Sequence, residues 1–372
     1  MKIAIDLRSL SSGTISGVEN YCLNLLENLL AMDRQNEYVL FYNGFVKKDL
    51  PNFHFVNSRV KLTRIPNKIL NLGFKLGVIK LEKLIGNFDC LFMPNLNQFS
   101  ISSSAKLAIT VHDLSPVVTP EFYDVKRRIW HKFLNYKKAF NRANVLFAVS
   151  EYTKNDLIKI FNIKPEKIKV IYPGTASLSN SMELDSERLR AARNEYDLPG
   201  KFILFLNTIE PRKNLSGLIK AFEQADTDAW LVIAGRLGWK YSKDFALIKH
   251  SKKSAKIKYI GYVEEKYKPA LIKLASALVY PSFYEGFGFQ PLEAMGVGTP
   301  VMASQLTSLP EVVGQAGLLV NPYDVNNMVV GLEQILKNRE LISNLKSQGH
   351  EQAKKFSWHK AAEQVLASFK TL

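Results

Sequence analysis

The sequence predicts an α/β protein of two doubly wound, Rossmann-like domains facing one another across a cleft. Three observations lead there. The chain has 372 residues, beyond the roughly 250–300 at which a single hydrophobic core stops growing, so two domains are the default expectation. Short β-branched runs alternate with helical patterns, as in strand-helix units repeated on a parallel sheet. The alternation occurs twice, on either side of a polar stretch from Thr175 to Ser186.

In the first series Ile3-Ala4-Ile5 is a strand and a helix follows from about Val18 to Leu30. Runs 38–42, 107–111 and 145–149 are further strands, the last leading into a helix near 151–161. Lys169 to Gly174 reads as a final strand ended by Pro173-Gly174, which puts the boundary of the N-terminal domain at residue 174. The second series has strands at 202–206, 230–235, 257–261, 277–280 and 300–303, and is again doubly wound.

With 47% hydrophobic and 23% charged residues the chain is composed like an ordinary globular protein, which sets aside fibrous and disordered classes. Lys2 and Asp6 bracket the first apolar run, where a secretory signal would carry an apolar core and a small-residue cleavage site. No apolar stretch approaches the ~20 residues of a membrane span. A cytoplasmic protein is expected. Cys22 and Cys90 lie in apolar settings without a C-x-x-C pattern or a histidine neighbour, so they read as buried, unpaired core residues.

The formal net charge is +16, and nucleic acid, anionic lipid or a phosphorylated substrate would each answer it. Its distribution narrows the choice. Between Lys47 and Lys83 nine Lys/Arg stand against Asp49 and Glu82. From Ile69 to Leu81 the cations interleave with apolar residues, which suits a helix lying on the inner face of an anionic membrane; a solvated helix face is the other reading.

In open α/β sheets ligands bind beyond the carboxyl ends of the strands, so the residues that follow strands are the candidates. The small-residue loop from Arg8 to Gly17 runs into a helix, whose N-terminus favours an anion. It fits neither G-x-G-x-x-G nor G-x-x-x-x-G-K-[ST], which counts against dehydrogenase and P-loop readings. His112 follows a strand directly, beside Asp113; a satisfied structural histidine is the alternative.

Arg212 and Lys213, in Glu210-Pro211-Arg212-Lys213-Asn214, stand at an expected helix start, where the dipole disfavours cations. An anionic ligand would offset that, as would an ion pair with Glu210. The segment from Tyr280 to Pro300 is densest. A strand end leads into a glycine-spaced loop, and Pro291 occupies an expected first helical position. Amides near Phe289 and Gln290 then face a diphosphate. Glu285 in the loop and Glu293 in the first helical turn flank that site, placed to accept hydrogen bonds from sugar and ribose hydroxyls.

Tyr284-Glu285-Gly286-Phe287-Gly288-Phe289-Gln290-Pro291-Leu292-Glu293 resembles the Glu-x7-Glu signature of retaining glycosyltransferases of family 4, which have the two-domain GT-B fold. Glu210 to Asn214 is similar to that family's diphosphate segment, and Ser308-Leu309-Pro310-Glu311 to its following motif. The likeness extends to Val111-His112-Asp113 and Val149 to Thr153. Phe356-Ser357-Trp358 is similar to the start of the family's last helix, which commonly returns to the N-terminal domain; the resemblance thus implies a C-terminal domain at 175–355 and a crossing helix at 356–372.

The resemblance implies that Glu285 contacts the transferred sugar, Glu293 the ribose, and Arg212 with Lys213 the diphosphate. Amides of Phe287, Gly288, Phe289 and Gln290, with the Gly17 loop, would complete the phosphate site. His112 would touch the sugar, and Gly261-Tyr262 would lie near the base. It further implies hexosyl transfer from a nucleotide sugar, with mannose from GDP-mannose the best guess, to a lipid-linked or growing oligosaccharide in cell-surface polysaccharide synthesis. No metal, no cofactor and no nucleic acid are expected. Two departures stand out: Asn207-Thr208 replaces a Gly-Arg pair frequent in relatives, and Gln290 stands where Pro or Val is common. The competing reading is a non-catalytic protein of the same fold that binds sugar nucleotides or polyanions, whose affinity for acidic polymers Glu285→Ala would leave normal.

Overall fold

The structure, a computed structural model, describes residues 1–12, 17–44, 55–175 and 184–372. Its strands are β1 (Lys2–Asp6), β2 (Glu37–Asn43), β3 (Ser58–Thr63), β4 (Cys90–Met93), β5 (Lys106–Val111), β6 (Val145–Ala148) and β7 (Ile168–Val170). Then follow β8 (Phe202–Leu206), β9 (Trp230–Ala234), β10 (Ile257–Gly261), β11 (Ala277–Tyr280), β12 (Val301–Ser304) and β13 (Leu318–Val320). They form a seven-stranded sheet in the order β3-β2-β1-β4-β5-β6-β7 and a six-stranded sheet in the order β10-β9-β8-β11-β12-β13. The pairings among the described strands are parallel, with Ile3 opposite Tyr38 and Cys90, and Ile203 opposite Leu231 and Ala277.

Helices cover both faces of such a sheet, so central strands are apolar on both sides. The Val145–Ala148 and Phe202–Leu206 strands are buried at every position. β3 is an edge strand with Arg59 to Leu62 exposed, and its mixed composition hid it from the sequence reading. The four-residue β4 and the three-residue β13 were not among the expected strands.

The chain divides into two compact units. One comprises Met1–Leu114, Ile129–Gly174 and Ser357–Leu372; the other comprises Ser115–Arg128 and Thr175–Phe356. Residues 115–128, placed in the N-terminal domain by the sequence, therefore group with the second unit. Trp239 Nε1 donates to the Phe122 carbonyl at 2.6 Å, and Lys240 Nζ donates to the carbonyls of Glu121 and Tyr123 at 2.8 and 3.1 Å. Tyr123 stacks on Trp239 at 5.4 Å. No distant-pair contact of this kind is encoded in local pattern.

The first unit's core is layered around β1, β4 and β5. The helix Gly17–Met32 buries Tyr21, Cys22, Leu25, Leu26, Leu29 and Leu30, and the helix Trp358–Phe369 packs against it. Trp358 meets Tyr21 edge-on at 5.5 Å, and Phe369 meets Phe92 and Phe147 at 5.6 and 6.4 Å. Gly174 permits this approach, since a Cβ there would fall 2.1 Å from the Trp358 nitrogen. Arg8 and Asp6 form a buried ion pair at 2.5 Å, and Arg8 Nη2 also donates to the Gln98 carbonyl. That role is structural. Cys22 and Cys90 are both buried and free, and burial pushes each thiol up to about 12.

The basic segment differs from expectation. Its helix is Asn67–Leu76 and stops at Gly77, which takes φ 72° as a left-handed cap; the next helix begins only at Leu81. Leu70, Gly73 and Phe74 are buried, whereas Ile69, Leu72, Leu76 and Val78 are 58%, 51%, 66% and 69% exposed. Lys68, Lys75 and Lys80 are exposed beside them; Lys47 and Lys48 lie outside the described residues.

Candidate active site

Strand order reverses between β8 and β11, which lie side by side at the centre of the second sheet. Their carboxyl ends lead into 207–214 and 281–288, so two segments some 70 residues apart in sequence meet at the switch point, where such sheets bind ligands. Phe283 N donates to the Arg212 carbonyl at 2.9 Å and ties the loops together.

The two cations do not occupy a helix start. Pro211–Lys213 is a separate 3-10 turn, and Asn214 caps the following helix, Leu215–Gln224, by accepting from Gly217 N at 3.1 Å. They thus precede the helix instead of occupying its first turn. Their charges are met by two carboxylates: Arg212 Nη2 lies 2.8 Å from Glu210 Oε1, Arg212 Nη1 3.0 Å from Glu285 Oε2, and Lys213 Nζ 2.5 Å from Glu285 Oε1. Arg212 also donates to the Tyr284 carbonyl at 2.7 Å. The Glu210 ion pair weighed against a ligand role is therefore present, and Glu285 joins it.

Burial opposes ionisation of Glu285, but Lys213 and Arg212 outweigh it and hold the carboxyl down at about 2. Burial, reinforced by the Arg212 charge, pulls Lys213 below its ordinary value. Lys213 lies 3.4 Å from the Tyr280 hydroxyl, which donates onward to Gln290 Oε1 at 3.2 Å. Burial and the Glu285 charge raise the Tyr280 hydroxyl well above its ordinary value.

The loop carrying Glu285 is fixed by the next strand's exit. Thr307 Oγ1 accepts from Glu285 N at 3.1 Å, and the buried Ser308 hydroxyl donates to the carbonyls of Glu285 and Phe287 at 3.0 and 2.8 Å. Sequence reading had located the Ser308 motif without its task; Thr307, at φ 59°, gave no signal. Gly288 then turns the chain at φ 114° into the helix Phe289–Gly296, an end without a side-chain cap. A Cβ on Gly288 would meet Leu309 Cδ2 at 2.7 Å. The helix begins two residues earlier than expected, so Pro291 is its third residue and Glu293 stands in the second turn.

Glu293 reaches Lys268 Nζ at 2.8 Å through Oε1, while its Oε2 is buried with no hydrogen-bond partner among the described residues. A buried carboxylate oxygen in that state costs free energy until a donor arrives. Burial opposes the charge on Lys268, but Glu293 and Glu265 push its pKa up. Lys268, on the helix Lys268–Leu274, was missed because nothing in sequence links it to Glu293. At the end of β10, Gly261 takes φ 75° and the 42%-exposed Tyr262 ring carries the Arg236 guanidinium 4.2 Å above it.

In the first unit His112 follows β5, with Nε2 2.8 Å from the Pro94 carbonyl and its ring edge-on to Tyr21 at 4.7 Å. Burial pulls its pKa below the ordinary value, which favours the neutral ring. Gly17 is the first residue of its helix rather than part of a loop, and 13–16 lie outside the described residues. Among the described residues no three His, Cys, Asp or Glu side chains gather as a metal-binding group.

Two parallel α/β units, the second with cations and carboxylates at its switch point, define a glycosyltransferase of the GT-B fold. The comparisons agree. The family model for Glycosyltransferase Family 4 matches residues 15–176, and that for Glycosyl transferases group 1 matches residues 187–352. O-antigen chain mannosyltransferase B of Escherichia coli is 27% identical over 96% of this chain and 97% of its own. Serotype-specific mannosyltransferase WbdA of the same organism is 29% identical over 72% of the chain, which spans 34% of that longer protein. HepE of Anabaena, solved in complex with UDP and glucose, superposes with a TM-score of 0.78 at 18% identity over 100% of both chains. The chain belongs to the group 1, family 4 glycosyltransferases.

Proposed function

We propose that the protein transfers a hexose, with retention and without a metal ion, from a nucleotide sugar to a lipid-linked or growing oligosaccharide in cell-surface polysaccharide synthesis. Mannose from GDP-mannose is the best candidate donor, in keeping with relatives named as mannosyltransferases. The observation that carries the reading is the buried Oε2 of Glu293, without a hydrogen-bond partner among the described residues, on the helix that follows the Glu285 loop. A ribose hydroxyl is a donor of the right kind for it.

In this reading the diphosphate lies against Arg212, Lys213 and the amides of Phe287, Gly288, Phe289 and Gln290, where backbone N–H groups and the helix dipole favour an anion. Glu285 accepts from the transferred sugar, and Gly261-Tyr262 lies near the base. His112 is assigned to sugar contact and Gly17 to phosphate contact. The anomeric C–O bond breaks through an oxocarbenium-like state, the leaving phosphate oxygen takes the acceptor hydroxyl's proton, and the acceptor oxygen bonds to the same face. The departing charge is what the protein must stabilise. Removing one such donor typically costs ~2.7–4 kcal/mol of barrier.

A thermal-shift panel of sugar nucleotides, with free nucleoside diphosphates as controls, tests the donor. GDP-mannose and GDP are expected to raise Tm, and Glu293→Gln to reduce the shift. A flat panel would refute a nucleotide-sugar site. The exposed Ile69, Leu72, Leu76 and Val78 among Lys68, Lys75 and Lys80 support a peripheral membrane surface. No helix among the described residues is long and apolar enough to cross a membrane.

A further inference from the structure

On the second unit a cavity of about 630 Å³ is lined by Pro211 and Asn214, which flank Arg212 and Lys213 in sequence. Arg212 and Lys213 point to Glu285, whereas Pro211 and Asn214 line the cavity. One wall is aromatic: Phe122 stacks on Phe283 with centroids 5.5 Å apart, and Phe283 packs on Tyr323 at 4.6 Å. Tyr323 is 68% exposed. The opposite wall is polar. Asp244 is buried and its Oδ1 accepts from Ser216 Oγ at 2.5 Å, while Lys220 and Lys243 have no hydrogen-bond or ion-pair partner among the described residues.

The charges nearly cancel. Lys220, Lys240 and Lys243 face Asp244 and Glu121, and the Lys240 ammonium is already held by the carbonyls of Glu121 and Tyr123. A phosphate site would be strongly positive; this one pairs an aromatic surface with dispersed donors and acceptors. The electron-rich face of an aromatic ring favours the electropositive C–H edge of a pyranose, and separated cationic donors and a carboxylate acceptor suit its hydroxyls. The volume lies within the roughly 300–1,000 Å³ of small-molecule sites.

We propose that this cavity is a second carbohydrate-binding site, holding one or two neutral sugar residues of a glycan with a pyranose ring on Tyr323. It stands apart from the donor reading and does not require it. Saturation-transfer NMR on the full chain, with mannose-, glucose- and galactose-based trisaccharides and inorganic phosphate as the anionic competitor, tests it. At least one trisaccharide is expected to receive saturation. Tyr323→Ala is expected to weaken it by about 10-fold or more, with Tm and the GDP-induced thermal shift kept; Lys220→Ala with Lys243→Ala is expected to weaken it too. The proposal is overturned if no trisaccharide binds, if binding survives both variants, or if phosphate displaces the sugar. A lost GDP shift on Glu293→Gln reads the donor site, so the two ideas fail separately.

Discussion

Glu285 is the residue on which the site's electrostatics turn. Arg212 and Lys213 contribute two positive charges and Glu210 and Glu285 two negative ones within a network of 2.5–3.0 Å contacts. Breaking a buried pair leaves an uncompensated charge, so Glu285→Gln is expected to lower stability by ~3–5 kcal/mol in urea titrations. The same residue sets a pH dependence. Its folded pKa, about 2, lies below the ordinary 4.5, so its contribution is full above 4.5 and is lost as pH falls towards 2. Wild-type unfolding midpoints should drop through that window and those of Glu285→Gln should stay flatter; parallel curves would show that the pair is not the cause. Glu285→Ala should abolish transfer while leaving any polyanion binding intact.

At the scale of elements, the loop from Ser282 to Gly288 owes its shape to its neighbour. Ser308→Ala removes both hydroxyl bonds from buried carbonyls and is expected to cost ~1–3 kcal/mol, read as a lower denaturation midpoint together with a weaker nucleotide-induced shift. Gly288→Ala combines strain at φ 114° with a 2.7 Å clash and should cost ~1–3 kcal/mol. Gly200, with nothing within 4 Å of a Cβ, is the matched control and should tolerate alanine. The glycine-spaced loop, its strand and its helix were legible because each has a local signal. Helix onset was misjudged by two residues, since Pro291 is tolerated anywhere in the first turn where amides have no intrahelical partner.

Across the whole molecule, the +16 charge and the exposed Asn67–Leu76 face predict vesicle behaviour. The protein should sediment with anionic phosphatidylglycerol vesicles at low salt and release as ionic strength rises. Leu72→Glu with Leu76→Glu should weaken this without altering Tm, because both positions are exposed. Binding equally to neutral vesicles would refute an electrostatic contribution. The helix Trp358–Phe369 poses the converse test. Phe369 is 1% exposed against Phe92 and Phe147, so Phe369→Ala should cost ~3–5 kcal/mol, seen in the first unit's unfolding.

The sequence by itself determined the α/β class and most central strands, and singled out Glu285, Glu293, Arg212 and Lys213 as candidates. Those depend on periodicity and on residue types that follow strands, both local properties. Only the tertiary structure decided what the residues meet. Lys268 on Glu293, Ser308 under the Glu285 loop, residues 115–128 on Trp239 and Lys240, and the ending of the basic helix at Gly77 all depend on strand order and packing between segments distant in sequence. A parallel sheet brings its carboxyl ends together whatever their separation along the chain, and that adjacency has no local trace.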